Sequence, residues 1–186
     1  MRPGDPRRDD VLDLLANYTP ADSEQADLRD DFINFVTGTP DCLSRECQPM
    51  HLTASGIIVT ADGSHVLLNF HKRGQFWVQF GGHIDPQDAG IVAAATREVF
   101  EESGLALDPL PGIVNLDRHE LSAAFSCGTH WDVQFICVAD APNDQAQASD
   151  ESDEIRWFAV NDLPVVDKSV QRLIDAAVSR VRGQSA

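Results

Sequence analysis

The sequence predicts an α/β fold in which helices cover a mixed β-sheet, preceded by a helical extension. Three observations carry this. Between roughly residues 48 and 160, short apolar or alternating runs, divided by turn residues, surround one strong helical pattern. Amphipathic helical spacing recurs before residue 47 and again near the C-terminus. Hydrophobic residues make up 42% of the 186-residue chain, enough for a real core in one domain with room for an addition. We therefore divide the chain into an N-terminal helical extension, 1–47, and a main domain, 48–186.

The extension reads as two helices. Val11, Leu14, Leu15 and Tyr18 follow i, i+3, i+4, i+7 spacing. In "TPAD", Thr19 is the predicted N-cap and Pro20 the first helical residue of the next helix. Its stripe is Leu28, Phe32, Phe35 and Val36, and Gly38 ends it. Both greasy faces need a cover, either the body of the domain or the second subunit of a homodimer. In the main domain, "LTASGIIVT", "HVLLNFH" and "FWVQF" are strands, with "ADGS" as a turn. A helix is expected over Asp88–Ser103, with Gly104 at the C-cap glycine position and with Val92 and Val99 facing the sheet. "GIVNLDRHEL", "HWDVQFICVA" and "EIRWFAV" are later strands, and the polar run "APNDQAQASDESDE" is a loop. Val170, Leu173, Ile174, Ala177 and Val181 form the apolar face of a C-terminal helix.

The formal net charge of −16 excludes bulk attraction to nucleic acid or to an anionic membrane. It leaves room for a small anionic substrate, because bound cations reverse a local field. No apolar run approaches the roughly 20 residues that span a bilayer, and "MRPGDPRRDD" lacks the apolar stretch of a signal peptide. A cytoplasmic protein is the expectation. Cys42, Cys47, Cys127 and Cys137 form no CxxC pair and read as reduced thiols.

The chemistry concentrates in "REVFEESG", Arg97–Gly104. Glu98, Glu101 and Glu102 share one helical face, where like charges repel by roughly 0.2–0.5 kcal/mol per pair. Arg97 offsets one of them by pairing with Glu101. Upstream stands "GGHIDPQD", whose two glycines free the backbone either to turn sharply or to approach a ligand. Mg²⁺ takes oxygen ligands, commonly carboxylates together with waters and substrate phosphates. Three glutamates on a rigid helix beside an accessible backbone carbonyl suit that demand.

This arrangement resembles the Nudix hydrolase family, whose signature is G-x5-E-x7-R-E-U-x-E-E-x-G-U, with U a bulky apolar residue. Gly82 matches the first glycine, and Arg97, Glu98, Val99, Glu101, Glu102, Gly104 and Leu105 match the second half. The first glutamate is replaced by Asp88, one extra residue precedes Arg97, and Phe80 stands where the family often has proline. The insertion is expected at the loop-to-helix join. Asp88 is either support for a neighbour or a helix N-cap.

The resemblance implies an α/β/α sandwich around a mixed sheet. It also implies Mg²⁺- or Mn²⁺-dependent hydrolysis of a nucleoside diphosphate linked to another group. The ligands it implies are Glu98, Glu101, Glu102 and the Gly81 carbonyl, with Arg97 orienting a glutamate. It further implies a carboxylate, acting as base or as ligand for an additional ion, from the loop before a late strand, where Glu151 lies six residues before Trp157 in "DESDEIRW" and Asp150, Asp153 and Glu154 compete for the role. His83 is a candidate for phosphate contact and Trp77 for base stacking, although Trp77 also suits a core. Trp131 and Phe135 read as sheet packing, while Asp117, His119 and His130 have no partner legible in the sequence. Two other readings of the same fold are a binding or regulatory module without catalysis and an isoprenoid diphosphate isomerase. The isomerase needs a catalytic cysteine. No flanking pattern selects a substrate.

Overall fold

The computed structural model describes residues 5–120, 128–140, 142, 146–147 and 152–184. Its elements are α1 (Arg7–Asn17), α2 (Ser23–Gly38), β1 (Met50–Thr60), β2 (His65–His71), β3 (Phe76–Val78), β4 (Phe80–His83), α3 (Ile91–Ser103), β5 (Asn115–Glu120), β6 (Thr129–Ala139), β7 (Ser152–Ala159) and α4 (Lys168–Gln184). The result is the α/β fold expected: a mixed, seven-stranded sheet with helices on both faces.

β1 is the central strand. It runs parallel to β6 along its whole length, from Met50↔Thr129 to Thr60↔Ala139. On its other edge it pairs with β2 only at Ile58↔Leu67 and Val59↔Val66. There the two strands part, and the run "FWVQFGGH" fills the gap. Its first part, β3, pairs with β2, and its second part, β4, pairs with β1 from Gly56↔Phe80 to Thr53↔His83. "FWVQF" is thus two short strands rather than one, because the run changes partner at Gln79. β7 closes the far edge of β2, and β5 pairs with β6.

The period of two along β1 divides the core. Leu52, Ala54 and Ile58 face α1, α2 and α3, packing with Val11, Leu15, Phe32, Val36, Ala94, Ala95 and Val99. Ile57 and Val59 face α4, packing with Val170, Leu173, Ile174, Ala177 and Val181. The apolar faces of α1 and α2 are therefore covered by the chain's own sheet. Trp131 of β6 is held there against Phe32, with ring centroids 5.0 Å apart, and against Phe35, at 4.5 Å.

A second tie is polar. Gln25 of α2, 1% exposed, donates through Nε2 to the Leu116 carbonyl at 3.0 Å. Its Oε1 accepts from Leu116 N–H at 2.9 Å and from the Tyr18 hydroxyl at 2.8 Å. The side-chain amide thus does for β5 what a neighbouring strand would, satisfying a buried donor and acceptor at the sheet edge.

Three expectations are corrected. α2 starts at Ser23, with Asp22 as N-cap, because the Asp22 carboxylate accepts from Gln25 N–H at 2.8 Å; Thr19 and Pro20 lie outside the helix. α3 starts at Ile91 after Gly90, so Asp88 lies in the preceding loop and is not the cap. Val92 is exposed, and the buried stripe is Ile91, Ala94, Ala95, Val99 and Glu102. Gly104 is the left-handed C-cap expected, with φ 71° and its N–H on the Phe100 carbonyl.

The packing of α2 generates a prediction. Phe32→Ala should lower unfolding free energy by about 3–5 kcal/mol in urea denaturation, as expected for a buried aromatic truncation. Far-UV circular dichroism should stay native. Deleting residues 1–47 should expose Trp131 and the Leu116 edge and give aggregation on gel filtration, not a soluble active remainder.

Candidate functional site

The site is built where β4 meets α3. Both glycines lie inside β4, so of the two roles open to them the structure takes close approach and not a turn. A Cβ on Gly81 would stand 2.7 Å from the Ala54 carbonyl oxygen and inside the Ser55 side chain. A Cβ on Gly82 would stand 2.7–2.9 Å from the Glu98 carboxylate. The bare backbone is what lets the strand lie against β1 on one side and the helix carboxylates on the other.

Arg97 organises the carboxylates. Its Nε donates to Asp88 Oδ1 at 3.0 Å and its Nη2 to Asp88 Oδ2 at 2.8 Å. Nη2 also donates to the His83 carbonyl at 2.9 Å. Nη1 donates to Glu98 Oε1 at 2.8 Å and to Glu101 Oε2 at 3.0 Å. These contacts match all the donors a guanidinium has. The Asp88 hydrogen bonds, ahead of those from the glutamates, hold the Arg97 pKa above its ordinary value. Burial is the largest single influence on the Asp88 carboxyl and acts to raise it, but the Arg97 hydrogen bonds, the Asp85 N–H and the charges of Arg97 and Arg7 together leave it below the usual range. Asp88 is therefore support for Arg97. It reaches back from the loop before α3.

The three glutamates differ in setting. Glu102 is buried, and its Oε2 accepts from Gly81 N–H at 2.8 Å. The Glu98 side chain is 15% exposed and lies over Gly82. The Glu101 side chain is 55% exposed. Asp88, Glu98 and Glu101 thus share one guanidinium, with Glu102 on the next strand's backbone. This excess of negative charge, carried on oxygen donors, fits a hard divalent cation.

Trp77 is half-buried in an aromatic cluster with Phe70 and Phe158, at ring-centroid distances of 5.1 and 4.8 Å. This is the core packing its alternating strand suggested. Trp131 and Phe135 are buried sheet packing, as read. Glu151 and Cys127 lie outside the described residues. Cys42, Cys47 and Cys137 are free thiols. Cys137 is fully buried, which pushes its thiol up to about 12.

Sequence reasoning missed two features. Arg7 of α1 donates to the Asp85 carbonyl at 2.9 Å and the Asp88 carbonyl at 3.1 Å, so the extension braces the loop that carries Asp88. On the sheet face that α4 covers farther along lies a buried polar layer. Asp132, 3% exposed, accepts from Thr53 Oγ1 at 3.0 Å, Ser55 Oγ at 2.6 Å and Gln134 Nε2 at 2.9 Å. Burial raises its pKa. Beside it the rings of His51, His83 and His130 sit 5.0–5.2 Å apart, centroid to centroid. His119, bonded to Asp117 at 2.7 Å, flanks them. No local spacing announces this cluster, since β pairing assembles it from distant segments.

The two glycines give a paired prediction. Gly81→Ala must move backbone and should destabilise by about 1–3 kcal/mol. In Gly82→Ala the clash is with the end of a flexible glutamate, so urea stability should change little while Mn²⁺ affinity, read by calorimetry, should fall. Equal stability losses would contradict the asymmetry.

Comparison with known proteins agrees with this geometry. Residues 50–177 match the family model described as the NUDIX domain. The chain is 31% identical over 113 residues to an oxidized purine nucleoside triphosphate hydrolase of Danio rerio, covering 58% of this chain and 67% of that protein. Its fold is similar to that of a C. elegans Ap4A hydrolase, with a TM-score of 0.58 at 19% identity, covering 71% of this chain and 98% of that one. It is also similar to a MutT protein from Methanosarcina mazei Go1, with a TM-score of 0.55 at 20% identity, covering 76% and 99%. With the family model spanning most of the chain and the helix-borne carboxylates in place, the protein belongs to the Nudix hydrolase family.

Proposed function

We propose that the chain is a divalent-metal-dependent hydrolase that cleaves the pyrophosphate bond of a nucleoside diphosphate linked to another group. In this reading residues 48–186 are the hydrolase domain and 1–47 an extension that braces it. Glu98, Glu101, Glu102 and the Gly81 carbonyl hold Mg²⁺ or Mn²⁺, and Glu151 is the general base. A cytoplasmic location goes with this reading. Among the described residues no helix is long and apolar enough to cross a membrane.

The observation that supports it most is the Arg97 hub, which gathers Asp88, Glu98 and Glu101 beside the bare backbone of Gly82. When bound there, the cation would neutralise phosphate oxygens and acidify a water. The protein residues do the rest. Arg97 fixes the glutamate rotamers and, through the His83 carbonyl, the strand end beside them. Glu102 pins the Gly81 peptide. His83 contributes its backbone carbonyl, which accepts from Arg97, and its side chain remains a candidate for phosphate contact. The role of Glu151 rests on the resemblance.

The two other readings are weaker. A non-catalytic module is expected to lose a box glutamate, and Glu98, Glu101 and Glu102 are all present. An isomerase needs a reactive cysteine; no sequence signature surrounds Cys127 or Cys137, and of these the described one, Cys137, is sealed among Ile58, Leu67 and Val99.

A screen of nucleotide derivatives with Mg²⁺ or Mn²⁺ tests the reading, beginning with oxidised purine nucleoside triphosphates because a relative bears that name. Chelation should abolish turnover, and either metal should restore it. Glu102→Gln keeps an acceptor for Gly81 N–H, so it should fold normally yet lose roughly 10²-fold or more in rate. Glu151→Gln should lose roughly 10²- to 10⁴-fold, with partial recovery at high pH. Full activity of Glu102→Gln would remove the metal assignment.

A further inference from the structure

We propose that His51, His83 and His130 form a binding site for a divalent transition-metal ion of the zinc class, separate from the carboxylate site. The three imidazoles come from β1, β4 and β6, which lie side by side in the sheet in the order β4–β1–β6. His51 is directly opposite His130, and His83 is opposite Thr53, so the backbone period of two turns all three rings to one face. A ligand nitrogen from each lies within 4.8 Å of the other two. Tetrahedral zinc with bonds of about 2.0–2.1 Å needs nitrogens roughly 3.4 Å apart. Binding would draw the rings together by that difference.

Two independent observations point to a ligand. His51 is 0% exposed, and its Nε2 has no hydrogen-bond partner; the buried Nε2 of His130 has none either. Leaving a buried polar nitrogen unpaired is costly, and a cation bound among the rings would satisfy both. His51 is also prepared as a ligand: its Nδ1 lies 3.2 Å from the Cys47 carbonyl. An N–H donated there fixes the tautomer that leaves a lone pair on Nε2, the arrangement usual for metal-bound histidine. Three nitrogens from neutral imidazoles suit zinc, copper, nickel or iron(II), and they do not suit Mg²⁺.

The site is distinct from the box because β4 separates them. Gly82 turns its Cα substituent direction to Glu98 and α3, while the adjacent His83 side chain points to the opposite face. Its carbonyl, held by Arg97, is the one element common to both. Three protein ligands would leave such an ion an open position.

The test uses the full chain stripped with chelator. Zn²⁺ added at neutral pH should remain at one equivalent per chain after gel filtration and raise the melting temperature, whereas Mg²⁺ should do neither. His51→Gln and His130→Gln, checked for folding by circular dichroism, should each lose that equivalent. His71→Gln and Glu102→Gln should keep it. Should the two histidine variants fail to fold, Cu²⁺ bound to the wild-type chain decides the matter. Its electron paramagnetic resonance spectrum should carry coupling to several imidazole nitrogens. Absence of stoichiometric Zn²⁺, retention of it by both folded histidine variants, its loss in Glu102→Gln, or a Cu²⁺ spectrum with oxygen ligands alone would each overturn the proposal.

Discussion

The arrangement of this protein's site depends on one guanidinium. Arg97 spends every donor it has, on Asp88, Glu98, Glu101 and the His83 carbonyl. A planar fork of this kind imposes direction as well as charge. It fixes the glutamates on one face of α3, and it fixes the end of β4 against that face. Lysine would supply the charge without the geometry. The carboxylates therefore stay close together despite their repulsion, in the arrangement a multivalent cation needs.

That hub requires β4 to approach α3 more closely than side chains allow, which explains the paired glycines. It also requires the loop before α3 to be held, since Asp88 reaches Arg97 from there. Arg7 supplies that hold from α1, bonding the loop's carbonyls at Asp85 and Asp88. The extension is thus joined to the site as well as to the core. Its larger contribution is apolar: Phe32, Val36, Val11 and Leu15 complete the cluster around Leu52, Trp131 and Val133.

β4 gives the two sheet faces different chemistry. One face presents oxygen donors from a helix, suited to hard cations. The other gathers imidazoles and a buried carboxylate network around Asp132. Alternation along a strand is enough to separate them, because successive side chains point to opposite sides. Neighbouring residues 82 and 83 therefore belong to different environments.

The sequence by itself determined the elements and the box. Strand alternation, helical stripes and Gly104 are local signals, and Arg97, Glu98, Glu101 and Glu102 fall within a single helix whose period fixes which of them share a face. The pairing of Arg97 with Glu101 was legible for the same reason. What the tertiary structure decided are relations between distant segments. Asp88 could be read as cap or support until the loop's path brought it to Arg97. The start of α2 at Ser23 followed from the competition between Thr19 and Asp22, settled by the side chain that reaches Gln25 N–H. Gln25 looked like any polar helix residue, yet it completes the edge of β5. His51, His83 and His130 have no common spacing at all. Only the register of three strands brings them within reach of one ion, and register is set by which faces the whole sheet must bury.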